Sequence, residues 1–377
     1  MTRTVTALAA DSLGVYIHIP FCVRKCAYCS FYSSPADETV RQAYTEALCR
    51  DILYYGGRGL GCDTVYFGGG TPTALESGQL IKILEAVKTA FDMDSDAEVT
   101  LEANPDSAAP EKLEALSAAG FGRISFGVQS LDDRELSALG RLHDSKKAIV
   151  AVKNARAAGF ENISCDMMLG IPHQDTASML ATARGLTGLG INHISAYMLS
   201  VEEGTPFFEQ GIEADDDRLA DMYLALCEQL GSEGFEHYEI SNFAKQNRRS
   251  RHNMRYWQGR EYLGFGCRAH SFFEDKRFFC DEDIKTYISA DSHRLTVLEE
   301  HPDRLEEYIL LGLRTSDGIS FERLKELGAD EERLQRIREC AVMLESHGLC
   351  RFSGSGFSLT EKGFLSSNSV IAQLELC

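Results

Sequence analysis

Cys22, Cys26 and Cys29 share one short stretch at the spacing Cys-x3-Cys-x2-Cys, directly after the apolar run Tyr16-Ile-His-Ile-Pro-Phe21. Three thiolates on such a loop can each ligate one iron of a [4Fe–4S] cubane, leaving the fourth iron without a protein ligand. The amino and carboxylate groups of S-adenosylmethionine can chelate that open iron. An electron passed from the reduced cluster into the sulfonium then cleaves a C–S bond and releases a 5′-deoxyadenosyl radical. The protein's task is placement and shielding, while the cofactors carry the chemistry. A zinc knuckle is the competing reading, but structural zinc normally closes with four ligands. The nearby His18 sits within the preceding strand, where the sheet fixes its direction.

A second segment has ligand-binding character. Val65-Tyr-Phe-Gly68-Gly69-Gly70-Thr71-Pro72-Thr73 places three glycines where an apolar strand ends. That end of a parallel strand is where ligands bind, and glycine lets backbone approach them closely. Polar residues follow later strand candidates in the same way: Glu102, Gln129 and Asp166. A carboxylate at successive ligand-facing ends needs partners, which ribose hydroxyls and a sulfonium can supply.

The elements that must position these residues are legible as alternating apolar strands and amphipathic helices. Strands are predicted at 15–19, 64–67, 98–101, 123–127, 163–168 and 193–198. Helices are predicted at 40–54, 79–91, 111–119, 146–158 and 177–189, with Gly120, Gly159 and Gly190 at helix ends. Strand–helix repetition implies a parallel sheet under crossover helices, here an open, partial (β/α)6 barrel over residues 1–210. Residues 211–300 form an extension: a helix at 215–232, a strand at 237–240 and an aromatic-rich loop region through Phe279. After Pro302 come three helices and a hairpin around Gly-Ser-Gly, predicting a small winged-helix-like α+β domain over 301–377. With 9 basic and 13 acidic side chains in 303–377, that unit is expected to be a structural lid rather than a DNA reader.

Composition bounds the class. The 377 residues are 44% hydrophobic and 25% charged, enough for one large core plus an appendage. The formal charge of −19 opposes binding a polyanion through its phosphates, so no nucleic-acid partner is expected. No apolar run is long enough to span a bilayer, and Met1–Asp11 lacks the apolar core of a signal peptide. A cytoplasmic protein is expected, with peripheral membrane contact left open. Nine of the twelve cysteines stand singly, and most are expected to be small buried hydrophobes rather than disulfides.

Taken together, these motifs resemble the oxygen-independent coproporphyrinogen III oxidase family of radical-SAM proteins. The likeness continues through Leu101-Glu-Ala-Asn-Pro105, Ser125-Phe-Gly-Val-Gln-Ser130, Asp166-Met-Met-Leu-Gly-Ile-Pro172 and the C-terminal unit. It implies S-adenosylmethionine contacts at Tyr16, Gly69 and Glu102. It also implies second-cofactor residues at Tyr28, Gly70, Thr71, Gln129, Arg141 and Asp166. Two features are similar to the haem-chaperone (HemW-type) branch. Phe31 occupies the place of the oxidase branch's fourth cysteine, and His252-Asn253-Met-Arg-Tyr256-Trp257 precedes Tyr262-Leu-Gly-Phe-Gly266. That branch implies bound haem, with His252 as its contact, delivery to respiratory proteins, and a reductant for the cluster. His270 and Cys267 are the competing haem ligands. One departure is Arg268 before Ala269, where the branch has Gly-Ala. The alternatives are coproporphyrinogen III dehydrogenase itself and another radical tetrapyrrole enzyme, such as a haem-ring-opening methyltransferase.

Overall fold

A computed structural model of the chain describes residues 12–291 and 293–375. The N-terminal segment and Cys377 therefore lie outside the described residues. Six parallel strands neighbour one another in chain order: β1 (Leu13–Ile19), β2 (Gly61–Gly69), β3 (Asp92–Ala103), β4 (Arg123–Gln129), β5 (Asn162–Leu169) and β6 (His193–Met198). β1, β4 and β5 are buried along most of their length because helices cover one face and the barrel interior covers the other, whereas β3 is buried mainly towards its C-terminal end.

The pleat sorts these strands into two chemistries. Val15, Ile17 and Ile19 alternate with Tyr16 and His18; Val65 and Phe67 alternate with Tyr66; Ile163, Cys165 and Met167 alternate with Ser164 and Asp166. The aliphatic set belongs to the main core. The polar set faces the interior in register: Glu102 opposite Ser125, Gly127 opposite Asp166, Asp166 opposite Ser195. A one-residue slip would exchange the two faces, so the register is strongly specified. The crossover helices carry side-chain caps where the sequence offers them, as at Asp37, Asp144 and Asp175.

Residues 211–300 hold more regular structure than expected. The segment taken as an aromatic-rich loop contains β8 (Asn242–Ala244), the helix Arg251–Trp257, β9 (Tyr262–Phe265), β10 (His270–Phe273) and β11 (Lys276–Cys280). With β7 (Glu236–Glu239) and β12 (Leu295–Glu300), these extend the sheet at both edges to twelve strands. The strands are short, and β9 has Gly264 inside it where a side chain would strike the His270 carbonyl. Both features hide a strand from pattern reading. Arg268 has φ +63°, a left-handed conformation that a residue with a Cβ adopts at some cost in strain.

Beyond Pro302, the helices Arg304–Gly312, Phe321–Glu326 and Glu331–Ser346 pack with a three-stranded antiparallel sheet. Its strands are β13 (Ile319–Ser320), β14 (Cys350–Ser353) and β15 (Gly356–Leu359), followed by two short helices. The unit is tied to β7 by Ile240 N–H on Arg314 O (3.0 Å) and Ser316 N–H on Tyr238 O (2.9 Å). Among the described residues, no helix is long and apolar enough to cross a membrane.

Candidate functional site

The cysteine loop leaves β1 and is pinned at four backbone points. Cys22 N–H donates to Ser34 O (3.2 Å), Cys29 N–H to Cys26 O (3.3 Å), Ala27 N–H to Leu139 O (3.2 Å) and Phe207 N–H to Ala27 O (3.0 Å). All three cysteines are half-buried and free. Burial pushes the Cys29 thiol up, so iron binding has to drive its proton off. Their sulfurs do not all lie within 4.8 Å of one another. That excludes the tight shell of a single ion in this arrangement and agrees with thiolates meant for three separate irons.

The glycine run does its work against this loop. Gly70 N–H donates to Ile19 O and Thr71 N–H to Phe21 O, both at 2.8 Å. A Cβ on Gly70 would sit 2.7 Å from Phe21 O and 2.9 Å from Phe21 N, both backbone atoms. Gly69, at φ +109°, lies against the His18 ring. These glycines let strand end and cysteine loop touch, and Gly69 and Gly70 also line the space left beside that contact.

Between them opens a cavity of about 400 Å³. It gathers Cys22, Cys26 and Cys29 with Tyr28, Gly69, Gly70, Thr71, Glu102, Gln129, Arg141 and Asp166. Tyr16 is set apart, one layer deeper, with its hydroxyl 3.0 Å from His18 Nδ1. Arg141 Nη1 donates to Cys26 Sγ (3.3 Å), and Nη2 donates to Asn104 Oδ1 (2.7 Å) and to Gly127 O. Asn104 Nδ2 donates in turn to Thr71 Oγ1 (3.0 Å), which lies 3.4 Å from Cys22 Sγ. Asn104 was not singled out from sequence, although its place two residues past Glu102, where β3 ends, was the available signal.

The charges in this cavity are partly neutralised by burial. Glu102 Oε1 accepts from the Tyr66 hydroxyl at 2.7 Å, yet burial pushes its carboxyl up to about 7. Asp166 accepts from Ser125 Oγ (3.0 Å), and burial raises it as well. One buried nitrogen of the cavity lining, Arg141 Nε, has no protein partner. Thiols on one wall, carboxylates below and an unpartnered guanidinium N–H form a donor set that fits an iron–sulfur cluster and a zwitterionic, cationic small molecule.

His252 lies elsewhere. The helix Arg251–Trp257 closes the opposite end of the barrel. Arg255 pairs with Asp63 (2.7 Å), and His252 N–H donates to Glu98 Oε1 (3.1 Å). The His252 imidazole is fully buried, 2.9 Å from Thr64 Oγ1 through Nδ1 and 2.8 Å from the Tyr256 hydroxyl through Nε2. It stacks on Tyr66 at 5.2 Å. Burial, with Arg255 and Arg123 nearby, holds its pKa down to about 3. Both ring nitrogens of His252, expected from sequence to meet haem, are thus bonded within the barrel floor in this arrangement. Cys267 is equally buried, its sulfur 3.7 Å from the Tyr44 hydroxyl. His270 is the exposed member of the three, stacked on Phe279 at 5.1 Å. The C-terminal unit sits on the floor side. The residues lining the cluster cavity all come from 22–202, so that unit does not cover the cavity's mouth.

Comparison with known proteins places this geometry. Residues 16–186 match the model of the radical SAM superfamily, and residues 300–366 match the HemN C-terminal domain. The heme chaperone HemW of Bacillus subtilis is 35% identical, covering 95% of this chain and 97% of its own length. The chain belongs to the HemW family. Another family relative is the mitochondrial radical S-adenosyl methionine domain-containing protein 1 of Bos taurus, 34% identical over 96% of this chain and 88% of its own. Coproporphyrinogen III oxidase (HemN) from Escherichia coli superposes with a TM-score of 0.81 at 20% identity, covering 96% of this chain and 90% of the oxidase. That likeness establishes the fold: a partial radical-SAM barrel with a small C-terminal domain. Membership of the superfamily implies a [4Fe–4S] cluster and S-adenosylmethionine.

Proposed function

We propose that this protein binds a [4Fe–4S] cluster through Cys22, Cys26 and Cys29, holds S-adenosylmethionine beside it, and serves as a haem chaperone for respiratory proteins. The observation that carries the reading is the cysteine cavity inside a chain similar along its whole length to a heme chaperone. When bound, the cluster supplies a one-electron reductant next to a sulfonium. The residues provide the setting. Arg141 fixes Cys26 and, through Asn104, Thr71. Glu102 and Asp166 offer carboxylates to the cationic and hydroxyl groups of the cofactor, and the barrel interior excludes water beneath them. An external reductant is part of the proposal, as is Phe31, 69% exposed at the cavity's rim, in place of a further cysteine.

For haem, His270 becomes the preferred imidazole because its ring reaches the surface, whereas His252 acts through the floor. Anaerobic reconstitution tests the whole reading, with haem titration and a coproporphyrinogen III assay on one sample. Tight haem binding without decarboxylation is expected. Decarboxylation with stoichiometric deoxyadenosine would replace the chaperone by the oxidase.

A further inference from the structure

We propose that Cys280, Glu282 and His293 form a second metal site, separate from the cysteine loop, for a single divalent ion of the zinc class. Cys280 ends β11, Glu282 follows two residues on, and His293 stands just before β12. Among the described residues, this is the one trio of potential ligand atoms that all lie within 4.8 Å of one another. His293 Nδ1 is 2.9 Å from Glu282 Oε2, and Cys280 Sγ is 3.9 Å from the same oxygen. A tetrahedral shell with bonds of about 2.0–2.3 Å sets its ligand atoms roughly 3.3–3.6 Å apart. Shifts of a few tenths of an ångström would therefore bring the two Glu282 edges to that spacing, and the third edge, Cys280 Sγ to His293 Nδ1, already lies within 4.8 Å.

The surroundings are built to hold these three groups still. The His293 ring stacks on Tyr287 at 4.0 Å, with 10° between planes, and Tyr287 O–H donates to Asp51 Oδ2 at 2.8 Å. Glu282 Oε1 already accepts from Arg294 N–H (3.0 Å), which aims Oε2 at the other two ligands. All three are screened from solvent: the side chains of His293 and Glu282 are 11% and 6% exposed, and Cys280 is 4% exposed. Oriented ligands with bonded outer partners are what distinguish a metal site from a chance cluster. One thiolate, one imidazole and one carboxylate suit Zn²⁺, or Fe²⁺ and Co²⁺, and disfavour Mg²⁺ and Ca²⁺. On binding, the thiol proton leaves to solvent, and His293 offers Nδ1 as a lone pair with its proton on Nε2. Water completes the fourth vertex.

The ion would staple the end of β11 to the start of β12 and anchor the connection between them, which carries the helix Ile284–Ser289. That helix braces the cluster loop, since Ile284 N–H donates to the Tyr32 hydroxyl at 3.3 Å, three residues beyond Cys29. The ion thus lies behind the cluster wall rather than in the cavity, and its three protein ligands leave one vertex to water.

The test uses the full chain in two forms. The anaerobically reconstituted protein is assayed for zinc beyond its iron. The full-length Cys22→Ala/Cys26→Ala/Cys29→Ala protein, free of iron–sulfur absorbance, is titrated with Co²⁺. One equivalent of zinc is expected, together with a near-ultraviolet thiolate-to-cobalt band in the triple variant. Adding Cys280→Ser should abolish the band, and His293→Gln should weaken Zn²⁺ binding by at least about tenfold. At one Zn²⁺ concentration the Tm of the parent should rise more than that of His293→Gln, with both folded equally in chelator. Absence of the band in the triple variant overturns the proposal without need of the Cys280 variant. So does Zn²⁺ affinity in His293→Gln equal to that of the parent, or zinc that disappears with Cys22, Cys26 and Cys29.

Discussion

Arg141 Nη1 donates to Cys26 Sγ across 3.3 Å, although 115 residues separate the two in the chain. The same guanidinium bonds Asn104 Oδ1 and Gly127 O, so one planar fork joins the cysteine loop to the ends of β3 and β4. Replacing it with alanine leaves buried acceptors unpaired, a loss of about 1–3 kcal/mol. Arg141→Ala should weaken S-adenosylmethionine binding by roughly five- to hundredfold on that scale. Arg141→Lys should not restore it, because a point ammonium cannot span three acceptors. Equilibrium dialysis against labelled cofactor decides this, and parent-like affinity in the lysine variant would remove the fork from the argument.

Each of Cys22→Ala, Cys26→Ala and Cys29→Ala is expected to abolish the broad iron–sulfur absorbance, since each thiolate serves its own iron. Cys49→Ala, in a buried thiol away from the loop, should leave the absorbance intact. A full complement of iron and sulfide in Cys26→Ala would end the cluster assignment.

The two histidines separate floor from surface. His252→Ala strips partners from Thr64 and Tyr256 and opens a cavity under Tyr66, at a cost of roughly 2–4 kcal/mol. Its Tm should drop while the haem Soret band of the folded fraction stays unchanged. His270→Ala should behave oppositely, with a shifted Soret band and an unchanged Tm. An altered Soret band in His252→Ala alone would return the ligand role to that residue and require the floor helix to open.

Glu102 gives a pH dependence with a definite sign. Its folded pKa, about 7, lies above that of an unfolded glutamate. Between about pH 4.5 and 7 the folded state therefore holds the extra proton, and this residue's contribution to stability falls as pH rises. A cationic cofactor prefers the carboxylate, so its affinity should rise as pH is raised toward 7 and level off above it. Glu102→Gln should flatten both curves, as denaturant melts and binding isotherms at pH 5.5 to 8 would record. Glu239, also pushed up to about 7 by burial, will leave a residual slope in the melts alone.

Gly70→Ala places a Cβ against the backbone of Phe21 and should cost about 1–3 kcal/mol by overpacking. The loss should appear as poor cluster loading, read as iron per chain, more than as global unfolding. Normal loading would mean that the loop moves aside without penalty.

The sequence by itself determined the parts governed by short-range rules. The six strands and their crossover helices were legible because apolar periodicity and capping residues act within a few positions, although β2 (Gly61–Gly69) and β3 (Asp92–Ala103) run longer than their apolar centres. The cysteine spacing named its chemistry for the same reason, since a loop of eight residues carries the whole ligand set. Only the tertiary structure decided what those signals touch. It alone turned the glycine run toward the cysteine loop and revealed Asn104 as the link between Arg141 and Thr71. Likewise His252 and His270, both read as ligands from their neighbours in sequence, part company on burial. Burial depends on which strands close the sheet at Tyr66 and Thr64, nearly two hundred residues away. Local patterns cannot express that, because the partner that occupies a nitrogen is chosen by chain topology rather than by the residues beside it.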